Sequence, residues 1–148
     1  MKTKILMLAL TCALLDVISF SAQADAIYLG AWSKHIQPHE TIDNESHNLV
    51  GIEYGGYMVS SFKNSFGLET YGVAKRFEIF QTQNFKAGLY VGVSYGYRGS
   101  CSQSEGLETD AKVFCPLVVP EIVYTKYKTQ IAVSLMGNAI AIGPKWEF

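Results

Sequence analysis

No run of 18 or more apolar residues occurs in this chain, although nearly half of its 148 residues are hydrophobic. A transmembrane helix is thereby excluded. Charge is sparse and almost balanced, with 12 Lys and Arg against 13 Asp and Glu. The basic stripe that marks a nucleic-acid partner is missing. Only three cysteines and three histidines are present, none clustered at zinc-ligand spacing, so neither a metal centre nor a bound cofactor has a sequence signature. Repeats, linkers and low-complexity segments are also lacking, which leaves a single domain.

What is present begins with a targeting pattern. Lys2 and Lys4 form a positive start, residues 5–15 form an apolar run, and Ala22-Gln23-Ala24 is a small-x-small cleavage site. Residues 1–24 are expected to be a signal peptide and residues 25–148 the exported domain. Removing Lys2, Lys4 and Asp16 leaves 10 basic and 12 acidic residues. Cys101 and Cys115 then flank a polar stretch in an oxidising compartment, where such a pair is expected to close as a disulfide on one long loop.

The exported part reads as a series of strands. In the last ten residues Ala139, Ala141, Gly143, Lys145 and Glu147 alternate with Ile140, Ile142, Pro144, Trp146 and Phe148. Period 2 places each set on its own face. A terminal aromatic strand on an exported chain marks a bacterial outer-membrane β-barrel, with the large set toward lipid and the small or charged set inside. Eight strands are expected, at about 26–35, 47–55, 57–62, 66–80, 85–98, 113–124, 129–135 and 138–148. The fold class is therefore all-β, an eight-stranded antiparallel transmembrane barrel, the smallest size found among bacterial outer-membrane barrels.

Connections set the orientation. Gly55-Gly56, 81–84 and 125–128 are short turns, and they alternate with 36–46, 63–65, 100–112 and Met136-Gly137. Short turns lie in the periplasm in this class and longer loops lie outside, so both termini are expected in the periplasm and the protein in the outer membrane of a Gram-negative cell. A barrel of eight strands is filled by its own side chains or holds one small ligand. The expected inward set includes Glu53, Arg76, Lys86, Arg98, Lys145 and Glu147. Buried charges require partners, so an ion-pair network is expected there, with a ligand-shaping lumen as the alternative.

On this map Ser33, His35, His47, Asn64 and Ser65 converge on the outer rim. A histidine, a hydroxyl and a group that orients the imidazole make a possible acyl-transfer set, and a solvated hydrogen-bonded rim is the plain alternative.

Several segments resemble one family. Phe62-Lys63-Asn64-Ser65 resembles the Phe-Lys-Asp-Ser segment of the lipid A palmitoyltransferase (PagP) family. Trp32-Ser33 stands where that family has Trp-His, and Asn44-Glu45 is similar to its Tyr-Asn-Glu. The segment 116–120, Pro-Leu-Val-Val-Pro, and the final Gly137-Asn138 strand with its terminal aromatic are similar as well. The resemblance implies an eight-stranded barrel that moves an acyl chain from a phospholipid to lipid A without a cofactor. It implies an integral-membrane monomer whose partners are outer-membrane lipids. Ser65 would be the hydroxyl, His35 the general base and Asn64 the orienting group, with Ser33 and His47 as alternates. This chain departs from the pattern: Asn64 replaces the family's acid, and Ser33 occupies the place of its histidine. The alternative is a non-catalytic surface barrel of the same fold that binds lipopolysaccharide or masks the cell surface, for example against phage adsorption.

Overall fold

The computed structural model describes residues 25–36, 44–99, 101 and 111–148. The expected signal peptide and most of the two long loops lie outside the described residues.

Among the described residues nine strands follow one another: β1 (Ala26–Leu29), β2 (Trp32–His35), β3 (Val50–Tyr54), β4 (Tyr57–Lys63), β5 (Glu69–Gln81), β6 (Phe85–Arg98), β7 (Lys112–Tyr124), β8 (Thr129–Met136) and β9 (Ala139–Glu147). All pairings are antiparallel between neighbours, and the sheet closes where β1 pairs with β9, Ala26 opposite Glu147 and Tyr28 opposite Lys145. β1 and β2 are two halves of one broken strand, since both run along β9. The result is a closed eight-stranded antiparallel barrel. The break falls at Gly30, whose φ of +80° only glycine adopts without strain. At the turn-bearing end, Gly55 and Gly56 (φ +56° and +77°) form the two-residue hairpin whose twist suits antiparallel strands.

Alternation decides which way each side chain points. On β9, Ala139, Ala141 and Lys145 are buried while Ile140 and Ile142 are exposed. Val59, Tyr71, Val73, Val91, Val93, Val118, Ile122, Ile131, Val133 and Leu135 extend this apolar band around the outside. Phe77, Phe80, Phe85, Tyr127 and Phe148 rim it at the end with the short turns, and Trp32, Tyr95 and Phe114 at the other.

Departures from the sequence expectation have local causes. Asn48 has φ +43°, so 47–49 is irregular and the strand begins at Val50. The turn before β5 extends to Leu68, because the Asn64 side chain accepts hydrogen bonds from the backbone N–H of Phe66 (3.0 Å) and Leu68 (3.1 Å). A bulge in β6 between Tyr95 and Tyr97 shifts the alternation by one residue, so Arg98, expected to point inward, is exposed. The Cys101–Cys115 disulfide is formed and ties the outer loop to β7.

One seam is incomplete. β7 and β8 pair only from Glu121 opposite Ser134 to Tyr124 opposite Ile131. Outward of that point β7 continues through Pro120 and Pro116 with no β8 residue opposite it among the described residues. Proline has no N–H to give, which suits it to a strand edge.

Candidate functional site

The barrel interior is divided into layers. Nearest the short turns lies a charged layer. The Lys145 ammonium, 1% exposed, sits 3.5 Å from Glu53 Oε2, 3.8 Å from Glu121 Oε1 and 3.5 Å from Glu147 Oε1. Lys86 pairs with Glu147 at 2.6 Å, and Arg76 with Glu78 at 3.0 Å. Tyr28 and Tyr90 share a hydroxyl hydrogen bond of 2.5 Å. One phenol gives its single proton to the other, which donates in turn to its own glutamate: Tyr28 Oη lies 3.1 Å from Glu121 Oε1 and Tyr90 Oη 2.7 Å from Glu53 Oε2. The inward charges are thus held in a network that closes this end. Glu121, Tyr28 and Tyr90 were not singled out from the sequence. Their signal was present in the alternation of β7, β1 and β6, where each falls in the inward set.

Above that layer the lumen turns apolar. Leu49, Met58, Phe62, Leu117, Val119 and Met136 line a pocket of about 80 Å³ that the tyrosine and glutamate layer closes from below. A second cavity of about 450 Å³ opens at the mouth opposite the short turns. Ser33, His35, His47, Asn64 and Ser65 all line it, so the structure gathers every sequence-nominated residue at one place. The same cavity reaches the incomplete seam, being lined by Pro116, Leu117 and Val118 on the β7 side and by Met136, Gly137 and Asn138 on the β8 side. His47 borders both cavities.

Two imidazole–hydroxyl pairs form there. His35, at the outer end of β2, has Nε2 at 3.1 Å from Ser65 Oγ. Its buried Nδ1 meets no hydrogen-bond partner among the described residues. His47 Nε2 lies 2.6 Å from Ser33 Oγ, and His47 Nδ1 lies 2.6 Å from the Lys63 carbonyl. Backbone bonds set this second pair. Segment 44–49 is fastened to the first strand through His47 N–H to Ala31 O (2.8 Å) and Ser33 N–H to Glu45 O (2.9 Å). On its other side Lys63 N–H donates to His47 O (2.7 Å) and Asn44 N–H to Ser65 O (3.1 Å).

Asn64 is placed differently from its expected role beside His35. Its Oδ1 accepts from Phe66 and Leu68 N–H, and its Nδ2 donates to Thr70 Oγ1 (3.1 Å). Both ends of the amide are engaged in building the turn, and none of these bonds reaches an imidazole. Thr70, fully buried, is the partner that sequence reasoning missed. Among the described residues no group of three His, Cys, Asp or Glu side chains is placed to hold a metal ion.

Compared with known proteins, the chain matches no protein-family model and no curated protein.

Proposed function

We propose that this protein is an integral outer-membrane barrel, both termini periplasmic, that transfers an acyl chain from a phospholipid to lipid A. The observation that carries the reading is the gathering of two imidazole–hydroxyl pairs in the mouth cavity, one of which, through His47, also borders the apolar lumen. A hydroxyl beside an imidazole is the equipment of acyl transfer. An apolar pocket beneath it suits a hydrocarbon chain, whose burial contributes about 0.8 kcal/mol per CH2. The apolar outer band with aromatic rims at both ends is the pattern of a barrel solvated by lipid. The seam between β7 and β8 gives a lipid in the outer leaflet a lateral path to the mouth. The resemblance of Phe62 to Ser65 and of the terminal strand to the lipid A palmitoyltransferase family points the same way.

A second reading is favoured by one observation. Among the described residues His35 Nδ1 has no orienting partner, since Asn64 is committed to its turn. A barrel with a disabled site would act by binding lipopolysaccharide and masking the surface. Mass spectrometry of lipid A from cells with and without the protein separates the two. Acyl transfer predicts one added chain. An unchanged spectrum, with the barrel shown to be folded in the outer membrane, refutes it. An effect on phage adsorption under those conditions supports masking.

A further inference from the structure

We infer that Ser33, and not Ser65, is the hydroxyl that takes the acyl chain, with His47 as its general base and the Lys63 carbonyl holding the imidazole. This assignment rests on the acyl-transfer reading and sharpens it to a single pair.

A carbonyl can only accept a hydrogen bond. The 2.6 Å contact of the Lys63 carbonyl with His47 Nδ1 therefore fixes the proton on Nδ1. A neutral ring so arranged carries a lone pair on Nε2, which faces Ser33 Oγ at 2.6 Å. Ser33 is then the donor, as a hydroxyl about to lose its proton must be. This is the order hydroxyl, imidazole, fixed acceptor, with a carbonyl dipole in the third place. Lys63 is held to the same residue a second time, since its own N–H donates to His47 O at 2.7 Å. Two bonds to one neighbour leave the histidine little freedom.

The His35–Ser65 pair lacks this arrangement. Its contact is longer, 3.1 Å, and its Nδ1 has no hydrogen-bond partner among the described residues, so none of them selects the tautomer in which Nε2 can accept. Position supports the same choice. His47 borders both the apolar lumen and the mouth, which places its pair at the boundary where an acyl ester crosses from hydrocarbon to polar surroundings.

The chemistry balances with a glycerophospholipid as donor. Ser33 Oγ bonds to the ester carbonyl carbon while its proton passes to His47 Nε2. The bond from that carbon to the glycerol oxygen breaks, and the oxygen leaves as the alcohol of a lysophospholipid, taking the proton from Nε2. An acceptor hydroxyl then attacks the acyl-Ser33 ester, gives its proton to Nε2, and the freed Ser33 oxygen recovers one. Throughout, Lys63 O keeps the Nδ1 proton.

The test uses the full chain folded in detergent micelles and an alkyl fluorophosphonate, a probe that phosphonylates only an activated hydroxyl. Intact-mass and peptide analysis is expected to find one adduct, on the peptide carrying Ser33. Ser33→Ala abolishes it, His47→Ala slows it by about 100-fold or more, and Lys126→Ala at the far end labels as wild type does. An adduct on Ser65, or no adduct on folded wild-type protein, overturns the assignment, and neither result depends on the variants folding. The two proposals fail separately. A labelled Ser33 with unmodified lipid A removes the lipid A reading alone. Added acyl chains on lipid A that persist at the wild-type level in Ser33→Ala remove the Ser33 assignment alone.

Discussion

Replacing Lys145 by methionine keeps an unbranched side chain only one atom shorter and removes the charge from a site that is 1% exposed. Three carboxylates lie within 3.8 Å of the ammonium. Glu147 keeps Lys86 at 2.6 Å, but Glu53 and Glu121 lose their nearest cation, and the Arg76 Nε stands 4.0 Å from Glu121. Breaking a buried pair from one side costs about 3–5 kcal/mol, because an uncompensated charge stays behind. That corresponds to roughly two to four powers of ten in the ratio of folded to unfolded protein. Urea titration of the barrel in lipid vesicles, followed by tryptophan fluorescence and by heat-modifiable gel migration, measures the loss. Adding Glu53→Gln to Lys145→Met removes one stranded charge, so the double variant is expected to be more stable than Lys145→Met alone. A coupling of roughly 0.5–3 kcal/mol would be normal for groups in one network. If Lys145→Met lies within about 1 kcal/mol of wild type, or if the two losses simply add, then this layer is not the electrostatic unit described, and the reasoning from burial fails.

Other perturbations test other parts of the molecule. A Cβ on Gly92 would stand 2.0 Å from Val73 O and 2.5 Å from Ala74 Cα, both backbone atoms of β5, so Gly92→Ala is expected to cost about 3 kcal/mol or more in the same titration; a wild-type midpoint would show that β5 and β6 do not approach so closely. Asn64→Ala removes three hydrogen bonds from a buried turn and is expected to cost about 3 kcal/mol at about 1 kcal/mol each. Asn64→Asp keeps both N–H bonds, and the Thr70 hydroxyl can turn from Leu68 O to the new carboxylate, so it should cost less than Asn64→Ala; equal losses would assign Asn64 a different role. Nitroxides at Ile131, Val133, Ile140 and Ile142 in lipid vesicles are expected to collide with oxygen in preference to a polar nickel chelate, and the reverse preference would place that face in water.

The legible part of this protein was local. Alternation of Ile140 with Ala141 is a property of neighbours in the chain, and a strand converts it to two faces whatever it pairs with. Strand count, the short turns and the inward position of Lys145 and Glu53 follow from that. The bulge at Gly96 was not legible, because the alternation of β6 looks unbroken in sequence until the ladder with β7 slips by one residue. The rim histidines and serines could be gathered by topology, and the resemblance paired His35 with Ser65, which do meet at 3.1 Å, but the pairing of His47 with Ser33 was not legible. Which histidine meets which serine depends on segment 44–49, bent by the left-handed Asn48 and fastened on both sides.

The sequence by itself determined an all-β chain with one greasy face and one small or charged face, since residue type and period 2 are written along the chain. Only the tertiary structure decided that Ser33 meets His47 and that a carbonyl of Lys63 fixes the ring. The physical reason is that this acceptor is a main-chain atom every residue possesses, so its role comes from position in space and leaves no trace in the identity of the side chain.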